Sequence, residues 1–429
     1  MQLTPLAVVT QFAHVLQDEL FPELAVSVGP LDKKLELLAT VVSMTPLGRL
    51  LSAHRSFTGR PAKDRAALAT AFMAKAILNL PTTRDLISRL RVDAALRRFC
   101  GWYSADRLPH EPKFSRAFAE FAASELPQHL HAAVIAATQS QRLIGHITRD
   151  STAIPARERV PQAVLDAKKA DEEKEKKEKQ ARQKQRAKAK AKAKAKAKGE
   201  AKPKSQRQTK ARKGKRKHPK GSFARAKATE RGPRIKRQRL QSLDQMLSDI
   251  PRYCDIGAKV NSQGNMDYWR GYKLHLDTVD GQIPVSALLT SASVHDSQLA
   301  IPLMTISSKR VVHLYEVMDS AYDADAIHAH SRQLNHVPVI APHPRRGTKK
   351  SSQVPKVYPD MPGPELCWAK QERYKVRTMS ERVNARLKDE FGGSQIRVRG
   401  AAKVMAHLMF GVLALTVDQW LRLAPSLGG

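Results

Sequence analysis

Apolar residues recur at three- and four-residue spacing through much of the first 140 positions, which predicts helices. The segment DRAALATAFMAKAILNL (64–80) is rich in Ala and Leu. PTTRDLISRLRVDAALRRF (81–99) opens with Pro and Thr suited to a helix cap, and FSRAFAEFAASELPQHLHAAVIAAT (114–138) keeps the helical period. No alternating pattern interrupts them, so residues 1–140 are expected to form an all-helical N-terminal domain.

The pattern changes at Arg142. RLIGHITRD (142–150) is a short apolar-rich run ending at Asp150, and YWRGYKLHLDTVDGQIPVSALLTSAS (268–293) reads as two strands joined at an Asp280-Gly281 turn. A helix opening at His295-Asp296 follows, then a buried strand (310–320), a helix (322–334), a strand (337–342) and, after a Pro-rich loop, a helix. An antiparallel start followed by alternating β and α is the order of a ribonuclease H-like α/β fold, expected over 141–167 and 240–429. VMAHLMFGVLALTVDQWL (404–421) is the most apolar run. It holds His407 and Asp418 and reads as a buried core helix, not a membrane span.

Between the first strand and the hairpin the pattern disappears. Residues 168–239 hold 32 Lys and Arg against 7 acidic residues, most of the surplus behind the chain's net charge of +35. With almost no aromatic or branched residues this stretch cannot bury a core, so a disordered Lys/Ala-rich insertion is expected. The charge implies a polyanionic partner, nucleic acid before membrane. Cys100, Cys254 and Cys367 are scattered without metal-type spacing, which excludes a disulfide framework and fits a reducing cytoplasm. The first twenty residues lack the features of a signal peptide.

Candidate chemistry lies in three acidic residues at the ends of separate elements: Asp150, Asp319 and Glu381. Three converging carboxylates suit hard divalent cations and two-metal phosphodiester chemistry. Each also has an ordinary reading, since Asp150 precedes Ser151 and Thr152 as a turn former would, and Asp319 could cap the next helix. In YKVRTMSERVNARLK (374–388), read as one helix, Tyr374, Arg377, Glu381 and Lys388 fall within roughly a 60° arc. Val376, Met379, Val383 and Leu387 line another edge. The polar row is either a solvated face laced with ion pairs or a phosphate-and-metal surface. His295 and Asp296 read as a cap, His146 and His275 as strand residues, and Trp269 as hairpin packing. Arg345 and Arg346, with Lys349 and Lys350, form a basic loop that could meet DNA.

The spacing Tyr, two residues, Arg, three residues, Glu, six residues, Lys, here Tyr374, Arg377, Glu381 and Lys388, resembles the signature of a large group of DDE transposases of bacterial insertion sequences. TRDST (148–152), YWRGYKLHL (268–276), SVHDS (293–297) and MDSAYD (318–323) are similar to that family's first-Asp, hairpin, first-helix and second-Asp regions. The long basic insertion departs from the usual pattern. The resemblance implies Asp150, Asp319 and Glu381 as catalytic ligands of a Mg2+ pair, with Mn2+ as a substitute. It implies that Tyr374, Arg377 and Lys388 hold DNA phosphates beside the scissile bond. Double-stranded element ends and target DNA would be the partners of a homodimer or higher multimer at the bacterial nucleoid, the N-terminal domain serving end binding or dimerisation. Two other readings stay open: a catalytically inactive DNA-binding relic and a host nuclease of the same fold.

Overall fold

The sheet is organised around β1 (Leu143–Pro155), whose apolar and β-branched residues alternate between two covered faces. The computed structural model describes residues 32–52, 65–166, 169–170, 173, 234–260, 263–342 and 371–423. β1 pairs antiparallel with β3 (Met266–Val279) on one side and parallel with β5 (Val312–Met318) on the other. β4 (Ile283–Ser291) pairs antiparallel with β3, β6 (Val337–Ile340) lies parallel to β5, and β2 (Asp255–Val260) pairs with the outer half of β3. The sheet is thus mixed, in the order β4-β3-β1-β5-β6, with β2 extending one end of β3. The Asp280-Gly281 turn falls where the pattern places it. Gly281 and Gln282 both have positive φ, the conformation a tight hairpin needs.

Helices cover both faces. Before β1 come α1 (Lys33–Met44), α2 (Leu47–Ser52), α3 (Arg65–Ile77), α4 (Thr83–Val92), α5 (Ala94–Phe99), α6 (Glu111–Ala123) and α7 (Leu126–Gln139). Two stretches that read as single helices are broken. Asp93 ends α4 and caps α5 by accepting from the Leu96 N–H, and Glu125, at φ 51°, turns the chain between α6 and α7. α4 starts where Pro81 and Thr82 suggest, with a Thr82–Asp85 capping box.

After β1 come α8 (Arg234–Gln238), α9 (Leu243–Ser248), α10 (Ala300–Ser308), α11 (Asp325–Gln333), α12 (Thr378–Asp389) and α13 (Ala401–Leu423). α13 is long and apolar enough to cross a membrane, but it is buried as the central helix of the core. It joins α1, α3, α6, α7 and α12 to the face of the sheet formed by Ile154, Leu274, Leu276 and Leu289 in one apolar cluster. The helices before β1 and the strands therefore share a core, within a unit comprising residues 1–159 and 233–429.

Residues 160–232 form a second unit, described only in part. Most of the basic insertion lies outside the described residues. Its last residues do not belong with it, because α8 is ordered: Arg234 bonds Gln298, Arg237 pairs with Asp249 at 2.8 Å, and Gln238 is fully buried with its amide donating to the Gln298 carbonyl. Charge density alone cannot mark this boundary, since α8 is as basic as the stretch before it. β2 is an element that the sequence pattern does not predict: it is short, mostly exposed and contains Gly257. That glycine is required because the Trp269 ring lies on it, in the space a Cβ would take. Trp269 is thereby a packing residue of the hairpin.

Candidate active site

The ladders of β1 explain why a site forms at Asp150. The sequence pattern ends the strand there, but the structure carries it to Pro155. Pairing with β5 stops at Arg149, opposite Met318, whereas pairing with β3 continues through Asp150 to Pro155. Asp150 is the first residue of β1 beyond the end of β5, and Asp319 is the first residue after β5. The two strand ends thus place one carboxylate each at the carboxyl edge of the parallel strands, here termed the cleft, the position at which ligands bind in open α/β sheets.

Asp150 accepts a hydrogen bond from the Asn384 side chain on α12 at 3.1 Å. Burial raises its carboxyl to about 6; Ser151, Lys259 and Arg377 oppose the rise and the Asp319 charge adds to it. Asp319 caps the short turn Ser320–Tyr322 by accepting from the Ala321 N–H at 2.9 Å. Burial raises its carboxyl as well, and Asp296 contributes in the same direction. The capping role expected of Asp319 and its place in the cleft coexist, since one carboxylate oxygen caps and the other remains available.

Glu381 is positioned by α12, which buries Val383 and Leu387 against the sheet. The chain 374–388 is not one helix. A turn at Val376–Arg377 separates the residues around Tyr374 from α12, so a 100° step cannot be carried from Tyr374 to Glu381. The cluster survives this break because the turn keeps short backbone bonds, Arg377 N–H to the Tyr374 carbonyl at 3.1 Å and Ser380 N–H to the Arg377 carbonyl at 3.2 Å, which hold Tyr374 and Arg377 beside Glu381. Arg377 pairs with Glu381 at 2.6 Å, and its charge also acts on Asp150, Asp319 and Tyr374. Burial lowers Lys388, on the same helix; Lys259 adds to the lowering and Asp150 opposes it.

Asp150, Asp319 and Glu381 do not close to metal-ligand spacing as a set. Among the described residues, the one group of three whose ligand atoms lie within 4.8 Å of one another is His313, Glu316 and His336. Glu381 is engaged by Arg377 and half exposed. Arg345 and Arg346 lie outside the described residues.

Two neighbours of the cleft, Asn384 and Lys259, are missing from the sequence reading. Asn384, three residues after Glu381 and four before Lys388, sits at a helical spacing that could have revealed it. Lys259, on the unexpected β2, acts electrostatically on Asp150, Asp319 and Lys388. Asp296 has a larger part than a cap: it pairs with Lys273 at 2.8 Å and its charge acts on Asp319. His295 caps as expected, accepting from the Ser297 N–H. His146 bonds Asp280, and His275, fully buried, bonds Thr290.

Comparison with protein families shows residues 236–417 matching a model described as Transposase DDE domain and residues 26–120 matching one described as Transposase domain. The first match includes Asp319 and Glu381 and begins after Asp150. Neither curated proteins nor solved structures give a match.

Proposed function

We propose that this chain, which belongs to the DDE transposases of insertion-sequence type, cuts DNA at the terminal inverted repeats of its element and joins the resulting 3′-hydroxyl ends to target DNA. The observation that carries this is the cleft at the end of β5, where Asp150 and Asp319 face one another under Arg377 and the helix bearing Glu381. The order β4-β3-β1-β5-β6 supports a ribonuclease H-like catalytic fold.

The donor set fits hard divalent cations. Burial disfavours both Asp150 and Asp319 as anions, and the charge of Asp319 on Asp150 and of Asp296 on Asp319 adds to it, a cost that a bound cation would remove. Asp150, Asp319 and Glu381 would hold Mg2+, or Mn2+ in its place. Such a pair activates an attacking oxygen and stabilises the leaving oxygen of a phosphodiester.

The chain's own residues do the rest. Arg377 neutralises Glu381 in the free protein; a DNA phosphate competing for the guanidinium would release Glu381 toward Asp150 and Asp319. Asn384 donates to Asp150 and fixes which oxygen faces the cleft. Lys388, Lys259 and Tyr374 border the same opening and would position the strand being cut, first for attack by water and then for attack by the freed 3′-hydroxyl on target DNA. Insertion-sequence ends come in pairs, so the active form is a homodimer or higher multimer on double-stranded DNA, acting at the nucleoid in the bacterial cytoplasm.

The test is cleavage of an end substrate by Glu381→Gln protein, which keeps side-chain volume and removes an anionic ligand. Cleavage should be lost while DNA binding and folding persist. Cleavage at the wild-type rate would overturn the assignment of Glu381.

A further inference from the structure

Away from the cleft, β5 and the turn that follows α11 bring His313, Glu316 and His336 together. His313 Nε2 lies 3.5 Å and His336 Nδ1 3.7 Å from Glu316 Oε1, and the two imidazole rings are 3.7 Å apart between centroids. His313 and Glu316 are buried, Glu316 completely. Both carboxylate oxygens of Glu316, both ring nitrogens of His313 and Nδ1 of His336 are buried without a hydrogen-bond partner. Arg149 stands 3.8 Å from Glu316 but is already committed to Asp277 through two hydrogen bonds of 2.8 and 2.6 Å.

Orphaned buried polar atoms are costly and rare in folded proteins, so a group of this size calls for a common partner. The spacing indicates which. Donors on a tetrahedron with bonds of about 2.05 Å lie ~3.3 Å apart, close to both nitrogen–oxygen separations here. Mutual ion pairing answers the need poorly: the separations exceed hydrogen-bonding distance, and two imidazolium rings in contact would repel. Ser331, whose hydroxyl is buried beside Glu316, can supply a fourth oxygen.

We propose that His313, Glu316 and His336 form a binding site for a zinc-type divalent cation, structural in role and separate from the carboxylate cleft. Two imidazoles and one carboxylate select borderline metals such as Zn2+ over Mg2+, which prefers all-oxygen sites. The ion would join β5 to the segment entering β6 and so brace the strand that leads directly into Asp319.

The test loads chelator-treated full-length protein with Zn2+, or with Co2+ as a spectroscopic probe. One equivalent should bind, raise the melting temperature, and show X-ray absorption scattering from two imidazoles at about 2.0–2.1 Å. Binding should survive in an Asp150→Asn, Asp319→Asn double variant and weaken by about 100-fold or more in His336→Gln, a direct ligand mattering at least as much as residues behind one. The proposal is overturned if the double variant loses the Zn2+ while His336→Gln keeps it. Absence of imidazole scattering in the wild-type protein would also overturn it, and that result needs no variant to fold.

Discussion

Arg149 and Asp150 are consecutive in β1, and strand alternation sends them to opposite faces of the sheet. On the α10 face, Arg149 is fully buried and its charge is met: Asp277 grips it with both oxygens, Ser307 supports Asp277 at 2.6 Å, and Glu316 adds a second negative charge. Burial opposes the guanidinium charge, but Asp277 and Glu316 outweigh it. On the α12 face, Asp150 finds a neutral amide, a second carboxylate and cations that are shared with other groups, and its carboxyl is raised to about 6. One residue step separates a compensated charge from an uncompensated one. A pair that satisfies itself holds the fold, whereas a carboxylate left wanting a cation is what a catalytic site needs before its substrate arrives.

The largest effect that would break this contrast is on stability. Arg149→Met leaves Asp277 buried without its cation and should cost about 3–5 kcal/mol, seen as a large fall in the midpoint of chemical denaturation. A loss under 1 kcal/mol would mean that the α10 face is not self-compensating.

Next in size, Arg377→Ala and Lys388→Ala should slow cleavage of an end substrate while leaving it measurable. Each would remove one of the proposed phosphate contacts and leave the carboxylates in place. If either variant fails to fold, the cluster over the cleft is structural.

A smaller effect concerns acid. Burial holds His131 and His407 down to about 3 and His275 to about 4, so each is neutral when folded and takes up a proton near 6.5 when unfolded. Their contribution is complete above pH 6.5 and is lost as pH falls below it, so the melting temperature should decline steadily from pH 6.5 toward pH 4. A flat profile over that range would contradict their neutral burial.

The smallest effect sharpens the boundary of the insertion. Deleting residues 168–232 spares α8 and should flatten the salt dependence of nonspecific DNA binding, which each neutralised phosphate steepens by about 0.9 in log–log slope. Extending the deletion to 239 removes Arg234, Arg237 and Gln238 from their partners and should lower stability as well.

Much of the fold was legible because its strands and helices are patterned: the Asp280-Gly281 hairpin, the capped start of α4 and the apolar α13 are local signals strong enough to survive packing. What was not legible depends on partners distant in sequence. β1 continues past Asp150 because β3 offers it a ladder there, a fact absent from residues 151–155 themselves. Glu125 and Asp93 break helices whose apolar period runs on unbroken. At the cleft, the carboxylates stood out by residue type, but Lys259 arrives on a strand with little pattern, and the turn before α12 interrupts the regular helix face. The His313, Glu316 and His336 group is invisible in sequence, since two residues on β5 meet a third that is twenty positions further on.

The measurement that tests the contrast most directly is made on Asp150→Asn, with stability and cleavage read from the same preparation. The account predicts that cleavage of an end substrate collapses while the melting temperature in metal-free buffer at pH 7.5 rises above wild type. Asp150 has a raised folded carboxyl, so its cost is full above about pH 6 and vanishes as pH falls through the usual carboxylate range near 3.8. The gain should therefore shrink toward zero between pH 6 and pH 4. A variant that melts lower than wild type at pH 7.5, or that still cleaves, would show that Asp150 serves the fold as Arg149 does.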